Sequence, residues 1–115
     1  MALILVIDDH DLVRMTVKRI LESAGHEVLE AAGGDAGIAL CQARNPALVV
    51  TDMVMPGKPG TETIMGLRNA DAVAKIIAMS GGPELDRATE FGADAVLEKP
   101  FRAEALLATV AKLIG

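Results

Sequence analysis

Five short apolar runs punctuate the chain, and after each one the apolar residues recur at helical spacing. The runs lie at roughly residues 3–7, 27–30, 47–51, 75–79 and 95–98 and read as strands. The helical stretches lie near 11–24, 34–44, 61–69, 83–91 and 102–114. In the first helix Val13, Val17, Ile20, Leu21 and Ala24 define one buried face, and Gly25 ends it as a left-handed cap. In the last, Ala103, Leu106, Leu107, Val110, Leu113 and Ile114 repeat that logic. The fourth is bounded by Pro83 at its start and Gly92 after its end.

Strand character predicts strand order. Runs 3–7, 47–50 and 76–79 are continuously apolar, as strands covered on both faces should be. The other two carry Glu27, Glu30 and Glu98, which suit sheet edges. Three central and two edge strands, joined by right-handed crossovers, give an α/β fold: a doubly wound five-stranded parallel sheet in the order 2-1-3-4-5. There is no internal repeat, low-complexity segment or linker, so residues 1–115 read as one domain.

Composition narrows the picture. The chain is 51% hydrophobic yet has two aromatic residues, Phe91 and Phe101, so the core is built from Ala, Val, Leu, Ile and Met. A net charge of -5 argues against direct nucleic-acid binding, which runs on phosphate neutralisation by Lys and Arg. The single cysteine, Cys41, forms no intramolecular disulfide and reads as a small packed hydrophobe in a reducing compartment. No apolar run approaches the ~20 residues that span a bilayer. The N-terminus lacks the basic stretch of a signal peptide, so the expectation is a soluble, cytoplasmic protein without membrane contact.

The chemistry sits where the strands stop. Asp8 and Asp9 end the first run, Asp52 the third, Ser80 the fourth, and Lys99 follows the fifth. In an open parallel sheet ligands bind beyond the carboxyl ends of the strands, where strand order reverses; here that is between strands 1 and 3. Carboxylates gathered there repel: two unit charges ~4 Å apart cost about 4 kcal/mol at an effective dielectric of ~20. Such a cluster most often holds a hard divalent cation. The full set suits phosphoryl chemistry, with a carboxylate as nucleophile, a metal neutralising phosphoryl oxygens, and a hydroxyl and an ammonium holding them. Taken singly the residues have plainer readings. Asp8 or Asp9 could cap the first helix, Ser80-Gly81-Gly82 could be a turn, and Lys99 a solvated surface lysine. His10 reads as a solvated loop residue, because a hard cation prefers oxygen, and His26 as an exposed residue opening an edge strand. Lys58, in the loop from Met55 to Gly60, is a weak candidate for touching a partner.

Val6-Ile7-Asp8-Asp9, Thr51-Asp52-Met53-Val54-Met55-Pro56 with Gly60 beyond, Met79-Ser80-Gly81, and Leu97-Glu98-Lys99-Pro100-Phe101 occur in order at strand ends. In this the chain resembles, over essentially its whole length, the receiver domain of two-component response regulators, of the single-domain chemotaxis type with a flavodoxin-like (βα)5 fold. The resemblance implies roles. Asp52 would be the phosphoacceptor. Asp9 would ligate Mg2+ directly, Asp8 largely through water, and the Val54 backbone carbonyl would be a further protein ligand. Ser80 would bond the phosphoryl group and Lys99 would pair with its oxygen. A cis Lys99–Pro100 bond is implied too. The implied partners are a sensor histidine kinase or histidine phosphotransfer protein as donor and an unidentified downstream protein as target. The chain would catalyse only its own phosphorylation and dephosphorylation, and would carry no output domain.

Three other readings compete. The chain could be the receiver piece of a larger DNA-binding regulator or hybrid kinase. An aspartate-nucleophile phosphatase would need its acid two residues beyond the nucleophile, where Val54 stands. A flavin module would need phosphate-cradling groups after strand 1, where Asp8, Asp9 and Asp11 stand instead. Two departures from the family pattern bear on signalling. Val96 occupies the position of the usual switch aromatic, and the fourth helix looks about a turn short.

Overall fold

The structure, a computed structural model, describes every residue except Ala72 and Glu84. Strands β1 (Leu3–Ile7), β2 (Glu27–Ala31), β3 (Leu48–Asp52), β4 (Lys75–Ser80) and β5 (Ala95–Glu98) alternate with helices α1 (Asp11–Ser23), α2 (Gly34–Arg44), α3 (Gly60–Ala70), α4 (Leu85–Ala88) and α5 (Ala103–Ile114). All strand pairings are parallel, and the sheet runs β2-β1-β3-β4-β5, the predicted order.

Side-chain alternation divides the core in two. Leu5, Ile7, Val49, Ile76 and Ala78 face a cluster with Cys41, Ile64, Leu67 and Ala88 from α2, α3 and α4. Ile4, Val6, Leu48, Val50, Ile77 and Met79 face the other way, onto Val17, Leu21, Leu106 and Val110 of α1 and α5. A strand residue points to one face only, so the continuously apolar central strands supply both layers. Burying each large side chain contributes about 1.5–3 kcal/mol. The glutamates of β2 and β5 lie exposed on the edges, as predicted.

Several expectations shift locally. Ala24 and Ala103 are exposed because they sit at helix ends, Ala24 as the cap after α1 and Ala103 as the first residue of α5. Gly25 does take the left-handed conformation, with φ of 91°, just past that cap. The fourth helix does not start at Pro83. Its α-helical part is one turn, Leu85–Ala88, running into a 3-10 turn at Thr89–Phe91 (Glu84 lies outside the described residues). His26 is half-buried rather than exposed, because its Nδ1 accepts the Ala2 N–H at 3.1 Å. Lys58 is paired within the chain, 3.2 Å from Asp35 of α2.

Two close features position the loops. The Cβ of any larger residue at Gly60 would run into the Met53 backbone, so glycine lets α3 begin hard against the end of β3. At the opposite rim Arg68 of α3 donates to the Ala74 and Gly92 carbonyls and to Asp94 Oδ2, at 2.6, 2.6 and 2.9 Å. Asp94 Oδ2 also accepts the Ile76 N–H at 2.9 Å. One side chain thereby ties the entries of β4 and β5 to α3.

Candidate functional site

The carboxyl ends of β1, β3, β4 and β5 deliver Asp8, Asp52, Ser80 and Lys99 to one rim. Asp8 is fully buried. Its Oδ1 accepts the His10 N–H at 2.9 Å, and its Oδ2 accepts from Lys99 Nζ at 3.3 Å. The Asp52 side chain is 4% exposed, and its Oδ1 is also 3.3 Å from Lys99 Nζ. Lys99 thus bridges two acids from two strands. Its own backbone N–H bonds the Ser80 carbonyl at 2.9 Å, which fixes the base of the lysine to β4. The Lys99–Pro100 bond is cis, as the sequence motif implied.

Ser80 is buried, and its Oγ accepts the Gly82 N–H at 3.1 Å. The loop after β4 therefore folds back over the hydroxyl. Val54 is exposed and lies two residues past Asp52. Its backbone also touches the acid, through a hydrogen bond that lowers the Asp52 pKa. That effect is outweighed. Burial, above all, pushes the Asp52 carboxyl above its ordinary value; Lys99 opposes the rise, and the nearby Asp8 charge adds to it.

Ligand atoms of Asp8, Asp9, His10 and Asp52 all lie within 4.8 Å of one another. Asp9 Oδ1 is buried without a hydrogen-bond partner. A buried carboxylate oxygen left unpaired is costly, and a cation would satisfy it. With three carboxylates as donors, the set fits a hard divalent ion. The capping role open to the two aspartates falls to neither as a helix cap proper: His10 is the cap of α1 and makes no side-chain cap bond. His10 is solvated, as expected, with 67% of its side chain exposed, yet its Nδ1 approaches Asp9 Oδ1 at 3.3 Å.

Sequence reasoning missed Arg14. Its Nη1 donates to the Asp8 carbonyl at 2.7 Å, its Nη2 to Asp11 at 2.8 Å and its Nε to Glu30 of β2 at 3.3 Å. Asp11 three residues earlier is a sequence signal for part of this; the contact to a backbone carbonyl leaves none.

A doubly wound sheet whose switch point holds acids from strands 1 and 3, beside a hydroxyl and a lysine from strands 4 and 5, defines a phosphorylation-controlled signalling module. The family model described as "Response regulator receiver domain" matches residues 4–111, and the chain belongs to that family. It is 35% identical to protein PilH of Pseudomonas aeruginosa, across 96% of this chain and 95% of that one. It is 37% identical to the nitrate/nitrite response regulator NarL of Escherichia coli, across 92% of this chain and 51% of that one. The solved chemotaxis protein CheY4 of Vibrio cholerae superposes with a TM-score of 0.90 at 30% identity, covering 99% of both chains. The chain spans about half the length of several curated relatives, 47% of a probable transcriptional regulator from Cyanophora paradoxa among them.

The protein is therefore a phosphorylation-controlled response regulator receiver of two-component signalling. Such domains bind Mg2+ at an acidic pocket, are phosphorylated by histidine kinases and regulate downstream effectors. No helix among the described residues is long and apolar enough to cross a membrane.

Proposed function

We propose that Asp52 is the phosphoacceptor, that Asp8, Asp9, Asp52 and the Val54 carbonyl hold Mg2+, and that Ser80 and Lys99 bind the phosphoryl group. The observation that carries this is the Lys99 ammonium, 3.3 Å from both Asp8 and Asp52, together with Asp9 Oδ1, which is buried without a hydrogen bond. An Asp52 oxygen attacks the phosphorus of a phosphohistidine on a sensor kinase or phosphotransfer protein. The P–N bond breaks, its electrons and a proton go to the imidazole, and an acyl phosphate forms on Asp52. Bound Mg2+ supplies charge neutralisation for the phosphoryl oxygens. Lys99 exchanges its carboxylate contact for a phosphoryl oxygen, and Ser80 turns its hydroxyl inward to donate to another.

The phosphorylated form then favours one of two pre-existing conformations and binds a cytoplasmic protein target differently. Apart from modifying itself, the domain turns over no substrate. Its match to nearly all of PilH supports a regulator in which residues 1–115 act as the receiver alone. Its match to half of NarL supports the second reading, a receiver joined to an output domain. The test is phosphotransfer from a panel of phosphorylated histidine kinases, followed by intact mass. One phosphoryl group should be gained with Mg2+ present and none in Asp52→Asn; wild-type labelling of that variant refutes the assignment.

A further inference from the structure

The β1–α1 turn must do something unusual for adjacent residues. Neighbours along a strand point to opposite faces, yet Asp8 and Asp9 both present ligand atoms to one cluster within 4.8 Å. β1 ends at Ile7, so the turn that carries both aspartates is not bound by that alternation. The Asp8 N–H still belongs to the sheet, donating to the Ala31 carbonyl at 3.1 Å. The Asp8 carbonyl, the next backbone group, is met by Arg14 Nη1 at 2.7 Å. The orientation of the Asp8–Asp9 peptide therefore depends on where that guanidinium sits.

Arg14 is well held. Its side chain is 16% exposed, and it is anchored to Asp11 on α1 and Glu30 on β2 at 2.8 and 3.3 Å. Glu30 is in turn held by Lys18 Nζ at 3.2 Å. The fork geometry of a guanidinium can serve three acceptors at once; an ammonium cannot span them.

We propose that Arg14 is a positioning residue for the cation site: by holding the Asp8 carbonyl it aims the Asp9 carboxylate, and so sets Mg2+ affinity. The inference rests on the acid pocket being a cation site. Electrostatics alone predicts the opposite effect, because a positive charge close to the pocket repels Mg2+. Removing it would tighten binding if Arg14 acted only as a charge. If it acts by position, removing it weakens binding, as losing an outer-shell partner does by about 10–100-fold.

The experiment is calorimetric titration of Mg2+ into wild type, Arg14→Gln and Arg14→Lys, with thermal unfolding in EDTA measured on each. Arg14→Gln strands no buried charge, since Asp11 is exposed and Glu30 keeps Lys18, so the fold should survive. The expected result is at least about tenfold weaker binding in both variants, including the one that keeps the charge. Unchanged or tighter binding in Arg14→Gln overturns the proposal. Wild-type affinity in Arg14→Lys does so too, by showing that the guanidinium fork holding the Asp8 carbonyl is not needed. Failure of the wild-type protein to bind Mg2+ would remove the cation reading and this inference with it. Normal wild-type binding with an unaffected Arg14→Gln would remove the inference alone.

Discussion

Lys99 and Asp52 face each other across β4, from the ends of β5 and β3, with 3.3 Å between ammonium and carboxylate. The lysine that would receive a phosphoryl oxygen already rests against the group that would carry it. Substituting Lys99 should therefore separate chemistry from signalling. In Lys99→Ala, Asp52 and the acid cluster remain, so phosphorylation persists. The phosphoryl group loses a charge-assisted contact worth about 1.5–3 kcal/mol. Modified protein should accumulate without the amide-shift changes of the wild type in NMR spectra; a wild-type response would refute the role of Lys99.

Mg2+ should stabilise the folded protein without any phosphoryl donor, because only the native state gathers the acids. Thermal unfolding followed by circular dichroism should move upward with added Mg2+. That response should largely vanish in Asp9→Ala, the variant that removes the oxygen buried without a hydrogen bond. Equal responses in both proteins contradict ligation by Asp9.

The raised pKa of Asp52 has a sign that can be tested in EDTA. Its folded-state pKa lies above its unfolded value, chiefly through burial, so the native state binds the proton more tightly. As pH rises from below the unfolded value, about 4, through the folded one, this group removes stability. Asp52→Asn should thus be more stable than wild type at pH 7, with the difference closing below pH ~4. A variant less stable than wild type at neutral pH would show that the Lys99 pairing outweighs burial.

Activation should proceed without a rotating side chain on β5. Val96 is 42% exposed, stiff at χ1 and too small to fill space vacated by Ser80. Phosphorylation-dependent amide shifts should cluster in residues 53–60 and 80–91 and be weak along 102–114. Val96→Ala should keep phosphorylation and change partner affinity by no more than about 0.5 kcal/mol, the scale of a surface substitution. The largest shifts falling on α5, or loss of partner binding in Val96→Ala, would overturn this account.

The strands were legible because Leu3–Ile7 and its counterparts carry unbroken apolar runs, and because glutamates mark β2 and β5 as edges. The rim residues were legible because strand ends deliver them, so chain position predicts place in the fold. The fourth helix was less so. Pro83 and Gly92 bound it, but α4 buries only Ala88, with Leu85 packed from its edge, and one turn of anchoring cannot be counted by periodicity. The His26 contact to Ala2 and the Arg14 contact to Asp8 were missed for one reason: each involves a backbone group, and such a contact leaves no trace in side-chain pattern.

The Arg68 clamp has a consequence for how this domain can diversify. It stitches the entry side of β4 and β5 to α3 through the Ala74 and Gly92 carbonyls and the Asp94 carboxylate. The mechanical integrity of the sheet is thereby placed on one side of the molecule, away from the acid pocket. Loops on the pocket side are then free to change length and chemistry without loosening the frame that holds them in register.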